Sequence, residues 1–427
     1  MANLMLEMGS WMTTTGLWGK LIGIFYKALP SMGWTIVIFT ICLKLVLIPL
    51  DVFQRHISTK TTEKQKEMEP DLKRVQEIYG KNQELLNQKT MEVYKKHNFN
   101  MGSSCLGLLI NLVITFVVFI TLFNSLRSIS NIMITEEYKT LRATYIATYN
   151  SDYTSYSNEN YTILVGEYET LENSEYTSAD EYAKAKIDIH ATETAQKEVY
   201  NKFQDIKEGW LWIKNIYLTD TAVLPYPTFE KYLSNSGEKF KEGYVTLDNE
   251  LKGVEEKETD VQKAKELAKT DYNKINSYIF EKYEGKWNGY YILIVLAGVI
   301  TWLSSKVTRI GQPKQTRQVT LADGTVVDKE VDPMGMMTWL LPLLMVFFTW
   351  NYTGMFAIYI VVNSAISVII SLSIFAIKKY IITPKKELAE QNAVVTDGNY
   401  RINKYTVIDE KQKREKKIFK SKNKDGD

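Results

Sequence analysis

The sequence predicts an all-α polytopic membrane protein with five transmembrane helices, a cytoplasmic helical hairpin and a large, helical extracellular insertion. Three observations lead there. Apolar residues gather into five long blocks, although mean hydropathy over the 427 residues is slightly negative at -0.21. Charge is confined to the segments between those blocks, and the formal net charge of +2 conceals a segregation by sign.

A helix rises about 1.5 Å per residue and the hydrocarbon core is roughly 30 Å thick, so a span takes about 20 mostly apolar residues. Residues 34–53, 105–126, 289–305, 337–353 and 355–377 qualify. The last two are parted only by Asn351, Tyr352, Thr353 and Gly354, a tight turn that makes them an antiparallel hairpin.

Within the N-terminal segment 1–33, Leu17, Trp18, Leu21, Ile22, Ile24, Phe25, Ala28 and Leu29 form one apolar face against Lys20 and Lys27. This pattern predicts an interfacial amphipathic helix. A signal peptide is the competing reading, but no small-residue cleavage site precedes Pro30 and the start is not basic. Residues 54–104 carry two charged helical stretches, near 54–79 and 83–97, around Gly80 and Asn82, which predicts a helical hairpin. Residues 127–288 are a polar insertion rich in Tyr, Ser, Thr and Glu, with helical periodicity in 178–208 and 250–283. A loop at 306–336 and a basic tail from Lys378 complete the chain.

Basic loops stay in the cytoplasm. The insertion holds 29 acidic and 20 basic residues, whereas the hairpin, the 306–336 loop and the tail are each net basic. That places the hairpin, the loop and the tail inside a cell membrane and the insertion outside. Five spans give the same parity, with the N-terminus outside and the C-terminus cytoplasmic.

Lys44 is the most informative residue, because an ammonium near the middle of a span costs several kcal/mol, about 3, unless it meets water, a partner or the interface. Either it faces a water-filled cavity, or it snorkels to headgroups about 9 Å away. The other polar residues within the spans include Asn111, Thr115, Thr121, Thr301, Thr338, Thr349, Asn363, Ser364, Ser367 and Ser371. Ser and Thr bond back to their own helix readily, so the convergence argument rests on Lys44, Asn111 and Asn363, three strongly polar groups on three spans. No second intramembrane charge is assigned to Lys44.

Enzymatic readings fail on inventory. His56, His97 and His190 all lie outside the spans, and no zinc-ligand spacing or phosphate-binding glycine loop is visible. Cys42 and Cys105 lie in or beside apolar blocks, where no structural disulfide is expected. No cofactor and no metal is implied. The run KQKREKKIFKSKNK, Lys411 to Lys424, has the charge of a segment that meets RNA or anionic lipid, or of a simple topological anchor.

The run GWTIVIFTICLKLVLIPL, followed by EPDLKRVQEIYGKNQELLNQKTMEVYKKHNFNMGSSCLGLLINLVITFVVFITLFNSLR, resembles the opening of the YidC/Oxa/Alb insertases. There a span ends in proline, a cytoplasmic hairpin follows, and the second span is entered through a glycine/cysteine turn. WLWIKNIYLTD, Trp210 to Asp220, is similar to the outer segment before the family's third span, and TWLLPLLMVFFTWNYTGMFAIYIVVNSAISVI to its closing hairpin. The resemblance implies a hydrophilic groove, open to cytoplasm and lipid, that receives a client's polar segment and releases its apolar segment sideways. By position Lys44 stands where an arginine is usual, Gly107 where proline is common and Asn111 where glutamine is. Groove candidates are Lys44, Asn111, Thr115, Thr301, Thr349, Asn363 and Ser367. The implied partners are nascent membrane proteins and the lipid bilayer, with a ribosome at the basic tail and the Sec translocon as further candidates. A polytopic transporter or channel is the alternative, and an adhesion anchor built on the outer insertion is a third.

Overall fold

The computed structural model describes residues 15–29, 31–80, 82–99, 101–171, 175–308, 315–320, 326–331, 335–377, 379–380, 394–397 and 400–403. Side chains at 55, 58, 59, 62, 101–112, 115, 315–337 and 394–403 are outside the described set, as is the basic run 411–424.

Helix α1 (Gly16–Ala28) covers the expected amphipathic stretch, with Ile22 and Tyr26 buried. Helix α2 (Met32–Tyr79) is one continuous rod that joins the first apolar block to the first half of the charged hairpin. It holds Pro49 and Pro70, each of which removes one backbone hydrogen bond without ending it. Helix α3 (Gln83–Lys96) begins where Asn82 accepts from the backbone N–H of Leu85 at 3.2 Å. Met68, Val93 and Phe99 seal this hairpin in a small core of their own.

Helix α4 (Met101–Tyr168) passes without a break through the second apolar block and out across 127–168, a stretch for which the sequence offered no helix. Helix α5 (Ala179–Ile206) packs along it. Its buried positions Ala183, Ile187, Ala191, Ala195, Val199 and Phe203 recur every fourth residue, and the small alanines let the two backbones come close. Ser178 starts α5 by accepting from Glu181 N–H at 3.2 Å. Beyond it lie α6 (Phe229–Ser236), α7 (Leu247–Leu251) and α8 (Val261–Tyr283). Each of these opens on an oxygen-bearing side chain, Thr228, Thr246 and Asp260 respectively, that accepts a first-turn N–H. The expected 250–283 helix therefore begins later, at the Asp260 cap.

Helix α9 (Ile292–Thr308), α10 (Gly335–Asn351) and α11 (Gly354–Ile377) are the remaining apolar helices. Tyr290 and Tyr291 have φ of 58° and 62°, so the chain cannot turn helical before 292, and α9 is shifted from the expected 289–305. Among the described residues three stretches are long and apolar enough to cross a bilayer: Met32–Gln54, Phe116–Tyr168 and Gly354–Ile377. Helices α9 and α10 are apolar but have 17 residues each, about 25 Å of rise.

The described residues are overwhelmingly helical, as expected, and four short strands accompany the helices. Strand β1 (Gln315–Thr320) pairs antiparallel with β2 (Val326–Val331), and β3 (Val394–Asp397) with β4 (Tyr400–Asn403). The first pair sits in the 306–336 loop, where alternating side chains flank Asp323-Gly324, a strong hairpin dipeptide.

The chain divides into two units, residues 1–302 with 313–365, and residues 303–312 with 366–427. The main core lies in the first and joins α1, α2, α4, the 207–222 segment and the foot of α11. Aromatic rings knit it: Phe123 meets Tyr352 at 4.3 Å and Phe356 at 5.0 Å, edge to face. A separate cluster of Leu164, Ala183 and Ile187 stabilises the distal end of the α4/α5 pair.

Candidate functional site

Lys44 is half-buried on α2, and its Nζ lies 2.8 Å from Asp51 Oδ2, seven residues further along the same helix. The stretched side chain runs toward the helix's charged half, so the ammonium is neutralised where the apolar block ends. Sequence reasoning assigned Lys44 no partner, although Asp51 lies within the expected 34–53 span. The signal was present, since positions seven apart share a helix face.

The other candidates differ in what their side chains do. Thr301 on α9 and Ser364 on α11 bond each other at 3.1 Å, which ties two apolar helices together. Thr349 is fully buried and donates back to Met345 O at 2.8 Å and Val346 O at 3.0 Å, a bond within its own helix. Asn363 is half-buried on α11. Ser367 belongs to the second unit, where its carbonyl accepts from Ser371 Oγ at 2.6 Å. Asn111 and Thr115 fall on α4, but their side chains lie outside the described residues. Thr121 accepts from Trp18 Nε1 at 2.8 Å, and Ser125 donates to Thr15 O at 3.1 Å, so α1 is fastened along α4.

The clearest built element is the segment 207–222, which includes the Trp210 to Asp220 block. Ile216 O and Leu218 O accept from Met355 N and Gly354 N at 3.0 and 2.7 Å, and Thr219 bridges Thr353. Gly354 has no room for a side chain there, because a Cβ would stand 3.1 Å from Ile216 O. Asn288, fully buried, donates to Asn215 O at 2.8 Å and Thr219 O at 2.9 Å and accepts from Asn215 N at 2.8 Å. Asp220 Oδ2 accepts from Leu293 N at 3.1 Å, at the start of α9, and Asp220 O accepts from Gly289 N at 3.2 Å. A carboxylate at a helix N-terminus meets unsatisfied N–H groups and the positive end of the dipole. Toward α1, Glu208 Oε1 accepts from Tyr26 OH at 3.0 Å and its Oε2 from Met32 N at 3.4 Å. Trp210 packs edge to face on Trp34 at 5.8 Å. One short stretch thus holds the C-terminal end of α1 and the N-terminal ends of α2, α9 and α11. The sequence marked it as a block and did not disclose this role, because its partners are 69 to 182 residues away.

A family model described as 60Kd inner membrane protein matches residues 24–228. Among curated proteins, the membrane protein insertase YidC of Fusobacterium nucleatum is 34% identical over 93 residues, which are 22% of this chain and 43% of that protein. The membrane protein insertase YidC of Leptospira interrogans is 37% identical over 101 residues, 24% of this chain and 15% of that protein. That of Nitratidesulfovibrio vulgaris is 32% identical over 106 residues, 25% of this chain and 19% of that protein. The matched stretches span less than half the length of each of these relatives. No solved structure matches. The matched region 24–228 takes in the Lys44 helix, the charged hairpin, α4 and the 207–222 segment, in the order the resemblance requires, and over that region the chain is similar to the YidC/Oxa/Alb family.

Proposed function

We propose that this chain is a membrane protein insertase, which takes client segments into a polar groove open to cytoplasm and lipid and releases them sideways into the bilayer. The observation that carries the reading is the match of residues 24–228 to the 60Kd inner membrane protein family, supported by shorter matches, over 93 and 101 residues, to proteins named membrane protein insertases. The proposed topology has five spans, with α9 and α10 crossing as short helices beside the three longer ones. The N-terminus and the 127–288 insertion lie outside, and the basic tail lies in the cytoplasm. The charge segregation supports this orientation.

Lys44 is the groove's positive group, held in reserve by Asp51, and Asn111, Thr115, Thr301, Thr349 and Asn363 supply its polar lining. A shallow polar path lowers the cost of moving a client's charged residues, which is a few kcal/mol for each at mid-bilayer. Lysine carries the charge without arginine's planar fork, so it acts on client carboxylates as a point charge. Clients are nascent membrane proteins. A ribosome at the basic tail and the Sec translocon are proposed further partners.

Depletion tests the reading. Single-span and small membrane proteins fail to insert when the chain is removed, and normal insertion of all of them would refute it. A transporter or channel would instead pass ions when the purified chain is placed in liposomes.

A further inference from the structure

Glu137 occupies a core position of the α4 stripe, following Leu122, Leu126, Ile129 and Met133, and is only 5% exposed. Neither of its carboxylate oxygens has a hydrogen-bond partner. The groups that act on it are polar or acidic. Glu208 comes from the 207–222 segment and already holds Tyr26 of α1. Asn215 faces the Glu137 carboxyl, yet its Nδ2 closes no hydrogen bond. Tyr217 and Tyr226, both buried, have unpartnered hydroxyls, and Tyr272 stands behind them on α8, donating to Pro227 O at 2.7 Å. On α4 itself Ser130 Oγ, two turns back on the same face, is also unpartnered. No cationic group acts on Glu137, and among the described residues no ion pair includes Glu137 or Glu208.

A buried carboxylate beside a half-buried one, with no counter-charge, cannot be ionised at low cost. We propose that Glu137 stays protonated in the folded chain beside the acidic Glu208, and that this neutral state keeps the 207–222 segment packed onto α1 and α4; loss of the proton loosens that packing. The assignment accounts for a buried carboxyl with no cation beside it and no hydrogen bond to either oxygen. Burial and the neighbouring Glu208 both raise the Glu137 carboxyl, to about 8, and burial raises Glu208 as well. The sign follows directly. The folded state keeps a proton that the unfolded chain releases near pH 4.5, so stability declines as pH rises from about 5 to about 8 and levels beyond.

The test is denaturant unfolding of the full-length protein in detergent micelles at pH 6, 7, 8 and 9, for wild type, Glu137→Gln and Glu208→Gln. Glutamine imitates the protonated carboxyl. The wild-type folding equilibrium weakens on the order of 10²-fold from pH 6 to pH 9. Glu137→Gln removes that share of the pH dependence and is the more stable protein at pH 9. Glu208→Gln, which lifts the like charge while leaving Glu137 to titrate, moves the wild-type midpoint to lower pH and keeps the test open if Glu137→Gln fails to fold. Identical pH profiles for wild type and Glu137→Gln would overturn the proposal, as would an unmoved midpoint in Glu208→Gln. Restoration of wild type at pH 9 by sodium or calcium chloride, absent in Glu137→Gln, would also overturn it, because the pair would then hold a metal cation.

Discussion

Gly289→Ala tests the 207–222 clamp at its tightest point. A Cβ on residue 289 would stand 2.8 Å from Asp220 Cγ, closer still to Oδ1, and 3.4 Å from Asp220 Cα. Asp220 is fully buried, so its carboxylate has nowhere to retreat. Displacing it breaks the bond to Leu293 N at 3.1 Å, which caps α9. A hydrogen bond to a charged group contributes about 2 kcal/mol, and forcing a methyl into a packed core costs about another 2 kcal/mol. The sum, about 4 kcal/mol, is a loss of on the order of 10³-fold in the folding equilibrium. Circular dichroism during denaturant titration of the full-length protein in micelles reads it. Asp220→Asn keeps the shape and one acceptor, and loses about 1 kcal/mol. If Gly289→Ala unfolds within about 0.5 kcal/mol of wild type, the range of an ordinary surface substitution, Asp220 is not the cap described.

Further perturbations separate the parts of the fold. Arg142→Ala leaves Glu250, which it holds at 2.7 Å, and Tyr244 OH, at 3.1 Å, without that donor; because Glu250 is exposed the loss is about 1 kcal/mol, read as faster proteolysis within 237–260. Phe356→Ala empties the ring cluster with Phe119 and Phe123 and costs about 4 kcal/mol by denaturant midpoint. Gly33→Ala sets a methyl 2.5 Å from Trp210 Cγ, and it lowers yield and melting temperature far more than Gly237→Ala, which meets no side chain, only an αL backbone cost of about 1 kcal/mol. Excising 153–184 with a short glycine turn leaves the main core intact, because the distal cluster shares no buried residue with it; melting within a few degrees of wild type is the expected result.

Much of this architecture was legible in the sequence, and the exceptions have physical causes. The charged hairpin expected at 54–79 and 83–97 ends at Tyr79 and spans Gln83–Lys96, because Gly80 and Asn82 stop one helix and cap the next. The 178–208 helix runs 179–206 from its Ser178 cap. The 127–168 extension was missed although 129, 133, 137, 141 and 145 keep helical spacing. From Tyr145 outward the stripe passes to Tyr149 and Tyr153, stacked at 6.1 and 5.7 Å, and tyrosine and threonine do not read as an apolar face. Glu137 was legible only as an anomaly, an acid where the stripe requires an apolar residue. Asp51 lies inside the expected 34–53 span and was not weighed as a partner for Lys44, and the 315–331 hairpin was passed over in a loop read only for its charge. The clamp residues Glu208, Asn215, Asp220, Asn288 and Gly289 act across gaps that no local pattern encodes.

The central claim is that a positive side chain at position 44 acts on clients. It is tested by measuring insertion of a single-span client in cells whose only copy carries Lys44→Ala, Lys44→Arg or Asp51→Asn, with protein levels matched. The account predicts loss of insertion in Lys44→Ala and retention in Lys44→Arg and Asp51→Asn, since both of these keep the cation. Full insertion in Lys44→Ala would contradict it and would leave Lys44 as a residue that only reaches toward Asp51 and the headgroups.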